Sequence, residues 1–119
     1  MRRVLVADDE ANMRWVLERA LSKAGYDVET VADGQIALDR ALAERPDLVL
    51  VDLKMPKKDG LSVLRTLREH YPDLLIVMMT AHGSTATAVE AMKAGAHDYI
   101  MKPFDIDELL ITVSKAFEG

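Results

Sequence analysis

Five polar side chains are placed along this 119-residue sequence where one chemistry could use them together: Asp8, Asp9, Asp52, Thr80 and Lys102. Each stands at or just past the end of a short β-rich run, where a strand gives way to a loop. Three carboxylates brought to one place repel one another and raise at least one pKa unless a cation joins them. Hard oxygen donors with room for water suit Mg²⁺. An ammonium from Lys102 and a hydroxyl from Thr80, set beside that ion and one carboxylate, are groups that hold the oxygens of a phosphoryl group. Taken singly, any of the aspartates could equally cap a helix or close a turn, and Lys102 could be an ordinary surface lysine. The chemistry depends on whether the fold gathers them.

The elements that must do so are legible as alternation. β-rich segments at Val4–Ala7, Val28–Val31, Leu48–Val51, Leu75–Met79 and Asp98–Met101 are separated by helical patterns, the signature of a parallel sheet covered on both faces. Met13, Val16, Leu17, Ala20, Leu21 and Ala24 recur at helical spacing before Gly25, which predicts a first helix over about residues 11–25. Ala37, Leu38, Ala41 and Leu42 stripe a second, Leu61, Leu64 and Leu67 a third, and Ala88, Val89 and Met92 a short fourth ending near Gly95. Asp105 with Glu108 has the spacing of a capping box for a fifth, whose Leu109, Leu110, Val113 and Phe117 would face the core.

The first, third and fourth strands are continuous apolar runs, as central strands should be, whereas Asp27-Val28-Glu29-Thr30-Val31 alternates and His97-Asp98-Tyr99 is mixed, as at edges. With right-handed crossovers the expected fold is α/β: a doubly wound, five-stranded parallel sheet of order 2-1-3-4-5 with five helices, the flavodoxin-like arrangement. Ligands of such sheets bind beyond the carboxyl ends of the strands, where the strand order reverses. Here that point lies between the first and third strands, so Asp8, Asp9 and Asp52 should meet there.

Composition narrows the function. With 50% hydrophobic residues, the chain can build one core, and the whole of residues 1–119 is expected to be a single domain. The absence of cysteine excludes a disulfide framework and thiolate zinc sites and suits the reducing cytoplasm. Met1-Arg2-Arg3 is followed by too short an apolar run for a signal peptide, and Leu74 to Met79 is far below the roughly 20 residues that cross a membrane. The net charge of −5, with no block of Lys or Arg, argues against direct nucleic-acid binding.

In combination the residues resemble the receiver domains of two-component response regulators, across essentially the whole chain. The motifs are Asp8-Asp9-Glu10, Val51-Asp52-Leu53-Lys54-Met55-Pro56 running on to Asp59-Gly60, Met79-Thr80-Ala81-His82, Gly95-Ala96-His97-Asp98-Tyr99, and Lys102-Pro103-Phe104. Arg14-Trp15-Val16-Leu17 with Met79-Thr80-Ala81-His82 is most similar to the nitrogen-regulatory-protein-C type. The resemblance implies that Asp52 is the nucleophile that a sensor histidine kinase phosphorylates. It further implies that Asp9 and Asp52 bind Mg²⁺ directly, that Asp8 does so through water, and that the backbone carbonyl of Lys54 is the third protein ligand. Lys102 would bind one phosphoryl oxygen, across a cis Lys102-Pro103 peptide, and Thr80 another as its side chain moves inward. Tyr99 would be the switch aromatic that follows Thr80, and Lys54 and His82 would flank the path of the hydrolytic water. Partners would be an output domain or effector protein, with phosphorylation-dependent homodimerisation open.

The chain stops after its fifth helix, which is read as a receiver from a longer, transcriptional protein, with a stand-alone phosphoacceptor as the alternative. A haloacid-dehalogenase-like phosphatase would need a second Asp two residues after Asp52, where Lys54 stands. A flavin carrier would not present Asp8, Asp9 and Glu10 to a phosphate. Self-assisted phosphorylation and dephosphorylation, not turnover of a substrate, is the expected chemistry.

Overall fold

A computed structural model of the chain describes residues 1–81 and 85–118, so His82 lies outside the described residues. The elements alternate without exception: β1 (Arg3–Ala7), α1 (Ala11–Lys23), β2 (Asp27–Val31), α2 (Gly34–Ala43), β3 (Leu48–Asp52), α3 (Gly60–His70), β4 (Leu75–Ala81), α4 (Thr85–Lys93), β5 (Asp98–Lys102) and α5 (Ile106–Glu118). All neighbouring strands are parallel, in the order β2-β1-β3-β4-β5. Successive strand residues point to opposite faces, and the core divides accordingly. Leu5, Ala7, Val49, Val51, Ile76 and Met78 pack on one side with α2 and α3, while Val4, Val6, Leu48, Leu50, Val77 and Met79 pack on the other with α1 and α5. Burial on both faces is why the central strands carry no polar alternation.

The helix ends are set by local chemistry. Asp33 caps α2, accepting the Ile36 amide at 2.8 Å, and Asp59 caps α3, accepting the Ser62 amide at 2.9 Å. Helix α1 stops at Lys23, short of the expected 25, because Gly25 takes φ +102° and the amides of Gly25 and Tyr26 turn back to Ser22 and Leu21 at 3.1 Å each. The same closure ends α4, with Gly95 at φ +109° and Ala96 bonded to Ala91 at 3.0 Å. Arg68 of α3 reinforces it, donating from Nη2 to the Gly95 carbonyl at 2.6 Å and from Nη1 to the Tyr71 and Pro72 carbonyls at 3.1 and 2.9 Å.

Three readings of the helices need correction. Val89 and Met92 do not face the core: they are 47% and 41% exposed, and α4 buries only Ala88 and Ala91. A nine-residue helix lying on the edge half of the sheet has a contact stripe too narrow for large side chains on both flanks. Leu42 of α2 is likewise exposed, outside the Ala37, Leu38, Ala41 stripe. At α5 it is the Asp105 backbone carbonyl that engages, accepting the Leu109 amide at 3.1 Å, and among the described residues the Asp105 carboxylate receives no amide.

The β3–α3 loop is held tightly against its surroundings. A Cβ on Gly60 would lie 2.5 Å from the Asp52 carbonyl oxygen and 2.7 Å from the Leu53 Cα, and one on Gly34 would run into the Lys58 carbonyl. Both glycines are required by close approach of backbone, not by dihedral angle. Gly60→Ala should therefore lower stability by about 1–3 kcal/mol, the usual cost of overpacking, read from the midpoint of equilibrium urea unfolding. An unchanged midpoint would mean that α3 can withdraw from β3 without cost.

Candidate functional site

The carboxyl ends of β1, β3, β4 and β5 form one rim, and the sheet register decides which side chains share it. Asp52, the last residue of β3, pairs with Met79 of β4, and Thr80 one step further pairs with Met101 of β5. Asp8 follows β1 directly, its amide bonded to the Val31 carbonyl of β2 at 3.1 Å. From β5, Lys102 reaches back across β4: its ammonium lies 3.0 Å from Asp52 Oδ2 and 2.7 Å from Asp8 Oδ2. One cation thus ties the rim from its edge strand to β1. The Lys102–Pro103 peptide is cis.

Asp8 is fully buried and has its acceptors taken. Oδ2 accepts Lys102, Oδ1 accepts the Glu10 amide at 2.9 Å, and the backbone carbonyl accepts Arg14 Nη1 at 2.8 Å. Among the described residues Asp52 Oδ1 accepts only the Lys54 amide, at a long 3.3 Å. Asp9 is exposed, and among the described residues its carboxylate makes no hydrogen bond. Oxygens of Asp8, Asp9 and Asp52 all lie within 4.8 Å of one another.

Charge is out of balance in this cluster, three carboxylates against one ammonium. Burial pushes the Asp52 carboxyl above its ordinary range and the Asp8 charge adds to the effect, which Lys102 and the Lys54 amide only partly offset. Burial alone would depress the Lys102 ammonium, but its bonds to Asp8 and Asp52 outweigh that and raise it. A carboxyl that resists ionisation with an ammonium 3.0 Å away is in a place that would accept further positive charge. The all-oxygen donor set fits a small hard divalent cation, with Asp9 and Asp52 the carboxylates left with free lone pairs and Lys54 supplying the adjacent backbone.

Thr80 is the other anomaly. It is wholly buried, and its Oγ1 is the one buried side-chain polar atom among the described residues with no hydrogen-bond partner. Leaving such a hydroxyl unpaired costs about 1–3 kcal/mol, which valine would avoid at similar volume. Tyr99, on β5 opposite Met78, is 40% exposed, and Lys54 projects an exposed side chain at the rim. Sequence reasoning missed the link from Arg14 to the Asp8 carbonyl and the tie from Arg68 to Gly95. Both are side-chain donors to backbone carbonyls, which leave no signature in residue spacing.

Comparison with known proteins agrees with this geometry. The family model described as the response regulator receiver domain matches residues 4–114. The DNA-binding transcriptional regulator NtrC of Klebsiella pneumoniae is 43% identical over 111 residues, covering 93% of this chain and 24% of that protein. The response regulator MprA of Mycolicibacterium vanbaalenii is 47% identical over 108 residues, covering 91% of this chain and 47% of that protein. Among solved structures, the receiver domain of NtrX from Brucella abortus superposes with a TM-score of 0.92 at 36% identity, over 98% of each chain. The chain therefore spans about a quarter of the NtrC relative and about half of MprA. With the sheet order, the rim and these relatives in agreement, the chain belongs to the response regulator receiver domains of two-component systems.

Proposed function

We propose that the domain accepts a phosphoryl group on Asp52 from a phosphohistidine of a sensor kinase and passes the change to an output domain or effector, most simply a transcriptional one. The observation that carries this reading is Thr80: a hydroxyl kept buried and unpaired one register step beyond the Asp52 strand end is held ready for an oxygen that arrives later. Asp9, Asp52 and the Lys54 carbonyl would hold Mg²⁺, with Asp8 acting through water. Bound there, the ion would supply positive charge against the oxygens of the transferring group.

The chain's own groups account for the rest. Asp8, each of whose oxygens already accepts a hydrogen bond, anchors Lys102 beside Asp52, so the ammonium is already in place when a phosphoryl group approaches. The Asp52 carboxylate attacks phosphorus in line, and the bond to the donor nitrogen breaks with its electron pair leaving on that nitrogen. Lys102 then exchanges a carboxylate contact for a phosphoryl oxygen, and Thr80 gains the partner that it lacks. Drawing Thr80 toward the rim frees volume beside β5, where Tyr99 and the exposed Val89 and Met92 of α4 would form the reporting face. To convert a two-state population from 1:99 to 99:1, phosphorylation must favour one state by about 5.5 kcal/mol, so one or two new hydrogen bonds give partial switching. Lys54, and His82 outside the described residues, would set the rate of water entry and hence of phosphate loss.

Three outcomes test this. Asp52→Asn should fold normally and lose all labelling by acetyl phosphate in Mg²⁺; undiminished labelling would place the phosphoryl group elsewhere. Asp9→Ala should lose most Mg²⁺ affinity by titration calorimetry, and equal affinity would mean that the cluster does not hold the ion. Thr80→Val should gain roughly 1 kcal/mol of stability by removing the unpaired hydroxyl. The same variant should lose the amide shifts at residues 85–104 that beryllofluoride, a phosphoryl mimic, induces in the wild type. Shifts retained in full would mean that the signal travels without Thr80.

A further inference from the structure

The acidic loop after β1 is pinned on both sides of Asp9. Ahead of Asp9, the Asp8 carbonyl accepts Arg14 Nη1 at 2.8 Å. Behind Asp9, the Glu10 amide donates to Asp8 Oδ1 at 2.9 Å. A peptide unit is planar, so fixing its carbonyl fixes the whole plane, and fixing both planes that flank a residue fixes the direction in which its Cα–Cβ bond leaves the chain. Asp9 is exposed and, among the described residues, makes no hydrogen bond of its own. Its direction is therefore set by its neighbours.

Of the two constraints, the Glu10 contact is internal to the loop, whereas Arg14 brings one in from a helix. Arg14 stands in the first turn of α1, its amide bonded to the Glu10 carbonyl at 3.0 Å, and α1 is anchored in the core by Leu17 and Leu21. Its guanidinium forms no ion pair among the described residues, although Glu10 and Asp9 are near in sequence, and spends its strong donor on a backbone carbonyl. Helix α1 has no side-chain cap from Glu10, so among the described residues the loop-to-helix junction is clamped by the side chains of Asp8 and Arg14.

We propose that Arg14 is a positioning residue that presents the Asp9 carboxylate to the divalent cation by immobilising the Asp8–Asp9 peptide plane. The proposal rests on the phosphoacceptor reading above. It makes an unusual sign prediction. Arg14 is a positive charge close to a cation site, so if it acted only through its field, removing it would tighten Mg²⁺ binding. If it acts by positioning, removing it weakens binding, because partners that orient a metal ligand are worth 10–100-fold in affinity.

The test is Mg²⁺ titration calorimetry on the wild type, Arg14→Ala and Arg14→Lys, paired with acetyl phosphate labelling as a function of Mg²⁺ concentration. Arg14→Ala is expected to bind Mg²⁺ about tenfold more weakly despite its lost positive charge. Its labelling rate at saturating Mg²⁺ should return to within a factor of about two of wild type, since Asp52 and Lys102 are untouched. Arg14→Lys, which keeps a donor on a long stem, should recover part of the affinity. Unchanged or tighter binding in Arg14→Ala would overturn the proposal, and so would a labelling defect that saturating Mg²⁺ does not repair. Failure of the phosphoacceptor reading itself would look different: the wild type would neither bind Mg²⁺ nor take label.

Discussion

The interaction on which the site depends is the reach of Lys102 over β4 to two carboxylates at once. Asp52 and Asp8 are both largely removed from water, and burying a carboxylate is costly without a compensating charge. The ammonium that supplies it comes from an edge strand two positions away from β3, so the sheet must keep its order and its register for the pair to survive. In a medium of low effective dielectric such a contact is strong, but so is the penalty for taking its members out of water. The arrangement is therefore poor as a stabilising device and well suited to exchange, since any incoming anion or cation that shares the charge lowers the cost of burial.

Two different economies of hydrogen bonding stand side by side in this rim. Asp8 has a donor on each of its oxygens, amide, ammonium and guanidinium, and behaves as scaffold. Among the described residues, Asp9, Asp52 and Thr80 are left with spare capacity: an exposed carboxylate, a carboxylate that holds the Lys102 ammonium on one oxygen and only a long amide contact on the other, and a hydroxyl with no partner. Incomplete satisfaction at buried positions is uncommon in folded proteins and concentrates where a group has work in another state. The contrast separates residues that hold the site from residues that act in it.

The sequence disclosed the fold well because its strands differ in kind. Continuous runs such as Leu48–Val51 and alternating ones such as Asp27–Val31 told centre from edge, and the strand order followed. It disclosed the membership of the rim because strand-end positions are fixed by the period of the chain. The register and the helix faces were less accessible. Val89 and Met92 are apolar at helical spacing, yet a short helix on the sheet edge has no second layer to bury them, and periodicity cannot report what lies opposite. The capping aspartates Asp33 and Asp59, each directly before a glycine and a helical pattern, carried a signal that propensity rules supply. The contacts of Arg14 and Arg68 did not, since a backbone carbonyl has no residue type.

The tie between Arg68 and Gly95 gives α4 a mechanical character. Three carbonyls converge on one guanidinium at the C-terminal end of that helix, while its shaft buries two alanines and carries an exposed ion pair, Arg65 with Glu90 at 3.5 Å. Such a body is a lever with its fulcrum at one end. Nine residues at about 1.5 Å rise give an arm of roughly 13 Å, so each degree of tilt about Gly95 carries the Thr85 end by about 0.2 Å. Small changes near the fulcrum are magnified along the shaft, in proportion to distance from Gly95.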